Sequence, residues 1–346
     1  MRYRRFVTIF ILILTLFVGV NYLVWKCWTE VLLTNSRFQG GDLARMGYVP
    51  GSKYYRKNIT DLPRQHCNIR EYDGRTIDML TIGDSFSNGG AGGKNRFYQD
   101  YIASINGFEV LNIPRYRELD PISTVVVFNN NGLLNRIKPR YLLIGLDEKG
   151  AFEMSAPMNA TLFIDNNMLK TYRMIDENIQ LPDVSFINNG NVKFLINTIA
   201  YSISDRAPFG TVLRGSLDRN MFSVPDADRL LYLRDRRPST IEELRGLNNN
   251  LNSLADVLAL KGTELIFMPC VDKYNLYSDY IKNSRYPRSI FFEEMRKLPK
   301  RYRFIDTRAI LAEELRKGEQ DIFYADDTHW SWKASKKIFE TVMFQK

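Results

Sequence analysis

The chain contains only two histidines, His66 and His329, and their neighbours in sequence differ. His329 lies in "YADDTHWSW", residues 324–332, directly after Asp326, Asp327 and Thr328 and beside two of the four tryptophans, Trp330 and Trp332. His66 sits between Gln65 and Cys67, with no carboxylate within four residues. A carboxylate that accepts a proton-bearing ring nitrogen fixes the imidazole tautomer and leaves the other nitrogen to take up a proton. His329 is therefore the candidate general base. Asp326 and Asp327 are both candidates for its orienting acid.

A base of this kind needs a hydroxyl to activate. "TIGDSFSNGGAGGKN", residues 81–95, supplies Ser85. The preceding "TIDMLTIG" (76–83) reads as a buried strand that runs straight into Gly83-Asp84-Ser85. A serine placed there exposes its hydroxyl next to backbone N–H groups that can hold a developing oxyanion. The expected donors are the N–H groups of Ser85 and Phe86. Two other readings of the stretch compete: a plain glycine-rich turn, and a phosphate loop. The phosphate loop needs Gly, four residues, Gly-Lys, then Ser or Thr. If Gly93-Lys94 close it, the outer positions are Asn88 and Asn95, so the motif fails at both ends. Two distant histidines offer no ligand cluster, and neither a metal nor another cofactor is expected.

The elements that would position these residues alternate. After "TIDMLTIG", the stretch 96–105 reads as a helix, "FEVLNI" (108–113) as a strand, 120–137 as a helix and "RYLLIGLD" (140–147) as a second buried strand. Residues 150–237 break the rhythm and read as an insertion or cap. "STIE" (239–242) has capping-box form and opens an amphipathic helix that stops near Gly262. "ELIFMP" (264–269) is the next strand. A short helix over 288–297, a strand at 303–306, a helix over 307–317 and a last helix over about 332–344 follow. Strands alternating with helices predict an α/β fold, a mostly parallel sheet covered on both faces, with functional groups at the carboxyl ends of its strands.

The N-terminus carries a separate signal. "MRYRR" precedes "FVTIFILILTLFVGVNYLVW" (6–25), a run without charge. Twenty helical residues span roughly 30 Å, the thickness of a bilayer core, and basic residues ahead of the run favour a cytoplasmic N-terminus. A cleaved signal peptide is the alternative, but its apolar core is normally shorter and no Ala-x-Ala site follows. The expected organisation is a cytoplasmic tail (1–5), a transmembrane signal anchor (6–26), a connector (27–70) and an extracytoplasmic α/β domain (71–346) with its insertion at about 150–237. The net charge of +9 includes Arg2, Arg4, Arg5 and Lys26; setting those aside leaves +5, with no basic stripe or motif that would argue for nucleic acid. Among three cysteines, Cys67 and Cys270 are expected to approach each other in an oxidising compartment.

Gly-Asp-Ser early and an Asp/His pair late resemble the SGNH/GDSL hydrolase superfamily, whose oxyanion-hole asparagine implies Asn112, at the end of the strand 108–113, as a further donor. "DDTHWS" (326–331) is more specific and resembles the Asp-Thr-His-Trp motif of the alginate O-acetylation proteins, the AlgJ/AlgX-like branch, which implies Asp327 as the orienting acid where ordinary SGNH spacing implies Asp326. Here the pair follows the serine, whereas in the alginate proteins it precedes it. The resemblance implies a three-layer α/β/α sandwich behind one transmembrane helix, in the cytoplasmic (inner) membrane with the domain in the periplasm. It also implies an acyl esterase or O-acyltransferase, acetyl above all, that works on a cell-surface or exported polysaccharide, with a membrane-bound O-acyltransferase as acyl-supplying partner. The other class kept open is a catalytically inactive scaffold of the same fold that binds glycan or such a partner.

Overall fold

Residues 79–83, 141–147 and 264–270 are apolar at nearly every position, a pattern suited to strands buried on both faces. All three are interior strands of one sheet. The computed structural model describes residues 2–29, 41–45, 61–116, 119–164, 185–204, 211–223, 229–233, 237–283 and 286–345.

In chain order, helix α1 (Arg2–Val24) continues into a π-turn at Trp25–Thr29 and is followed by the short α2 (Asp42–Arg45). Then come β1 (Cys67–Asn68), β2 (Met79–Gly83), α3 (Tyr98–Asn106) and β3 (Val110–Asn112). The expected helix over 120–137 is two helices, α4 (Pro121–Asn130) and α5 (Leu133–Ile137). Asp120 caps the first through the Ser123 N–H at 3.0 Å, and Gly132 separates them at φ 77°, a backbone state that favours glycine. β4 (Tyr141–Asp147) follows.

The insertion contributes a 3₁₀ turn (Ala151–Met154), α6 (Asn189–Ile203) and the antiparallel pair β5 (Val212–Ser216) and β6 (Arg229–Leu233). Residues 165–184, 205–210, 224–228 and 234–236 of that expected insertion lie outside the described residues. The remainder is α7 (Ile241–Ala259), β7 (Glu264–Cys270), α8 (Lys273–Tyr277), α9 (Phe291–Lys297), β8 (Arg303–Phe304), α10 (Thr307–Arg316) and α11 (Trp332–Thr341). The capping box of α7 sits one residue later than expected. Thr240 accepts the Glu243 N–H at 3.2 Å and Glu243 accepts the Thr240 N–H at 2.8 Å. "STIEE" offers the box in two registers, and the helix uses the second.

The six-stranded sheet runs β1-β3-β2-β4-β7-β8, and every pair in it is parallel. The protein is thus an α/β fold with one N-terminal helix long and apolar enough to span a membrane. The chain leaves β2 for β3 on one side and then crosses back to β4 on the other. Such a reversal opens a crevice at the carboxyl end of the strand it straddles; here that strand is β2, which ends at Gly83. Helices α3, α10 and α11 pack together, with α3 on β3 and α10 on β7; α4, α7 and α9 form a second group that meets β7 through α7.

The expected approach of Cys67 and Cys270 does not occur. Both thiols are free. Cys67 lies in β1 and Cys270 in β7, with β3, β2 and β4 between them. Four strand spacings are about 19 Å, well past the roughly 7 Å Cα separation that a disulfide can bridge. Strand order separates them, and strand order is invisible in local sequence.

Candidate active site

The turn after β2 is held from below. Asp84 is half-buried; one of its carboxylate oxygens accepts the Phe86 N–H at 3.0 Å and the other accepts the Asp147 N–H at 2.7 Å, tying the turn to the end of β4. Burial raises the Asp84 pKa, and those two N–H donors work against the rise. Gln99 from α3 donates to the Ser87 carbonyl at 2.9 Å and to the Asn112 Oδ1 at 3.0 Å. Ser85 is thereby fixed above the carboxyl end of β2.

The opposite wall is the loop between α10 and α11. Phe323 and Trp330 pair in an antiparallel bridge, and the Ser331 N–H donates to the Ile322 carbonyl at 2.8 Å, so the loop closes on itself. Ser331 then caps α11 by accepting the Lys333 N–H at 3.1 Å. Phe86 packs between the His329 ring, 4.8 Å away, and the Trp330 ring, 4.9 Å away. Phe86, next to Ser85, thereby ties the serine turn to the loop that carries His329.

The loop brings the three expected residues into line. His329 Nε2 lies 2.7 Å from Ser85 Oγ, and His329 Nδ1 lies 2.7 Å from Asp327 Oδ1. Asp327 is fully buried and also accepts the His329 backbone N–H at 2.9 Å. Asp326 is turned away, accepting the Gly41 N–H at 2.8 Å. With Nδ1–H held by the carboxylate, a neutral imidazole presents Nε2 as acceptor to the serine O–H.

Residue Asp42 was not foreseen. Its carboxylate reaches to 3.6 Å from His329 Nδ1 and accepts the Thr328 N–H at 2.7 Å and the Thr328 hydroxyl. Burial disfavours a charged imidazole, but the Asp327 hydrogen bond and charge, with Asp42 and Asp84 beyond, outweigh it and raise the His329 pKa to about 9. Burial, and then the charge of Asp327, push Asp42 up to about 6. The oxygen and nitrogen atoms of Asp42, Asp327 and His329 lie within 4.8 Å of one another.

Lys273, at the start of α8 beyond β7, was missed as well. It is buried, and its ammonium donates to the carbonyls of Tyr324, Ala325 and Asp327 at 2.7, 2.9 and 3.0 Å. Burial lowers its pKa to about 8, against the pull of Asp326, Asp327 and Asp42.

The oxyanion donors are placed differently from expectation. The Phe86 N–H is engaged by Asp84. Instead of facing Ser85, Asn112 belongs to a buried network: its amide donates to the Ser87 carbonyl at 3.2 Å, and its Oδ1 accepts from Thr81 at 2.9 Å and from Gln99. The Ser85 N–H has no acceptor among the described residues.

His66 also has a carboxylate in space. Asp100 accepts its backbone N–H at 2.9 Å and lies 2.6 Å from its Nδ1. Its Nε2 is buried without a hydrogen-bond partner among the described residues. The serine at Nε2, more than the carboxylate, distinguishes His329. No protein-family model matches this chain, and no curated protein matches it.

Proposed function

We propose that the protein is a membrane-anchored, extracytoplasmic serine acyl esterase or O-acyltransferase of the SGNH/GDSL type, close to the alginate O-acetylation branch. Its substrate is a cell-surface or exported polysaccharide and its acyl group is acetyl. The observation that carries this reading is the Ser85–His329–Asp327 line, with 2.7 Å at both contacts. In this mechanism His329 Nε2 takes the Ser85 proton as the oxygen attacks the acyl carbonyl, and returns it to the leaving oxygen. Water completes an esterase cycle and a sugar hydroxyl completes a transferase cycle. The Ser85 N–H is the donor left for the oxyanion. A membrane-bound O-acyltransferase is the partner that delivers acyl groups in the transferase cycle.

The two helix groups, one meeting the sheet through α10 and the other through α7, support a three-layer α/β/α sandwich. The apolar helix α1 behind Arg2, Arg4 and Arg5 supports an inner-membrane anchor with the domain in the periplasm.

A second reading, an inactive scaffold that binds glycan or an acyltransferase, is favoured by one observation: the Phe86 N–H is already engaged by Asp84 and the Asn112 amide donates to the Ser87 carbonyl. A fluorophosphonate probe, followed by acetyl-ester cleavage with and without an oligosaccharide acceptor, separates the two. Labelling at Ser85 that disappears in Ser85→Ala supports the enzyme. Absence of labelling, or labelling that survives Ser85→Ala, supports the scaffold.

A further inference from the structure

Helix α6 is built inside out. At 100° per residue, Val192, Leu195, Ile196, Ile199 and Ile203 form one stripe. Val192, Ile199 and Ile203 on that stripe are 45%, 54% and 82% exposed. The residues it turns inward include two asparagines, Asn191 and Asn197, and Tyr201, all buried. Tyr201 donates to the Val212 carbonyl at 2.6 Å. A helix of a water-soluble domain shows the reverse order, apolar side in and polar side out. Only one of its fifteen residues, Lys193, is charged.

The start of α6 is joined to α1. Asn191 donates to the Asn21 Oδ1 at 2.8 Å, and both asparagines donate to the Phe186 carbonyl at 2.9 Å. Phe186 packs on Trp25 at 5.5 Å and on Tyr22 at 6.3 Å. Asn21 lies fifteen residues past Phe6, where the apolar run begins. That is roughly 22 Å along a helix whose bilayer core is about 30 Å thick. The junction therefore falls near the far boundary of the membrane, where aromatic side chains such as Tyr22 and Trp25 accumulate.

We propose that α6 is a second membrane contact, with Val192, Ile199 and Ile203 set among lipid chains at the bilayer surface beside the anchor. Helix α6 packs on α1, whose apolar side chains are themselves exposed, and this makes lipid the natural cover of the stripe. The proposal rests on α1 lying in a membrane and is independent of the chemistry at Ser85.

The test uses the full-length chain with Cys27→Ser, reconstituted in phospholipid vesicles with and without spin-labelled lipid. A fluorophore is attached at Ile199→Cys or Ile203→Cys. Leu12→Cys in α1 reports on the anchor, and Leu260→Cys, exposed at the end of α7, reports on water. Cys67 and Cys270 are buried and stay unlabelled. Spin-labelled lipid should quench positions 12, 199 and 203 by roughly half or more and leave 260 unchanged, as expected for a helix seated about 5–10 Å into the interface. Quenching at 12 but not at 199 and 203 overturns the proposal. A blue-shifted but unquenched signal at 199 and 203 means a protein covers the stripe, a second copy or another membrane protein, and overturns it too. Loss of quenching at 12 removes the anchor and the proposal with it.

Discussion

One carboxylate oxygen of Asp327 accepts two hydrogen bonds from the same histidine, the His329 backbone N–H at 2.9 Å and Nδ1–H at 2.7 Å. The two-residue spacing in Asp-Thr-His makes this possible, since the side chain needs only to fold back over one intervening residue. Backbone and ring are fixed by one group, so the imidazole can point in only one direction.

The first prediction ranks the two aspartates. Losing the orienting carboxylate of a serine triad costs roughly 10⁴-fold in turnover, through the wrong tautomer. Asp327→Asn should approach that loss in acetyl-ester cleavage. Asp326→Asn removes the charge that receives the Gly41 N–H but leaves His329 Nδ1 its acceptor in Asp327, and should cost less than about tenfold, the scale of one ordinary hydrogen bond. The reverse ranking would move the orienting role to Asp326.

The pH profile provides a second prediction. Catalysis needs a neutral imidazole at Nε2, so kcat/KM should rise with pH and level off near the His329 pKa of about 9. Three carboxylates act on that ring: Asp327, Asp42 and Asp84. Asp42→Asn removes one negative charge that favours the imidazolium, so the acid limb should move to lower pH. Measurement of kcat/KM from pH 5.5 to 10 in both proteins decides it. An unmoved limb with a uniform loss of rate would leave Asp42 as only the acceptor for Thr328.

Lys273 supports the third prediction. Its ammonium is the common donor to three carbonyls of the loop that carries Asp327. Hydrogen bonds to a charged group are worth roughly 1.5–3 kcal/mol each, and Lys273→Met leaves all three acceptors buried. The variant should lose stability, at least about 3 kcal/mol, and lose kcat far more than it raises KM, because the loop positions the base rather than the substrate. A KM effect alone, with kcat intact, would place Lys273 in substrate binding.

Much of this arrangement was legible in the sequence, and the limits have physical reasons. β2, β4 and β7 announce themselves because a strand buried on both faces needs a continuous apolar run. Ser85, His329 and Asp327 stand out because their motifs are local. Asp42 does not, since it meets Thr328 across 286 residues of chain and sits in no recognisable pattern. Lys273 reads as a surface residue, and only the fold shows that it is buried. The resemblance implies Asn112 as an oxyanion donor, but its amide donates to the Ser87 carbonyl while Gln99 and Thr81 donate to its Oδ1, and such a network cannot be seen without the packing of α3 on β3. The cysteine pair failed for the same reason: adjacency in the sheet depends on strand order.

Gly90 offers the sharpest test of the His329 position. Its N–H donates to the Ser85 carbonyl at 2.8 Å. A Cβ at this residue would stand 2.6 Å from His329 Nε2 and 2.9 Å from the Ser85 carbonyl oxygen. The backbone here does not need glycine's left-handed freedom, since Gly90 is not among the residues at positive φ. Gly90→Ala is therefore a wedge aimed at the ring. An ordinary contact at that distance needs most of an ångström more room, which the imidazole can gain only by leaving Ser85. A shift of about 1 Å in a reacting group can cost roughly 10²-fold in rate, whereas overpacking of this size costs stability about 1–3 kcal/mol. Gly90→Ala should thus fold, keep KM near wild type, and lose about two orders of magnitude in both ester cleavage and fluorophosphonate labelling. Wild-type rates in a folded Gly90→Ala protein would mean that the His329–Ser85 contact takes no part in the reaction.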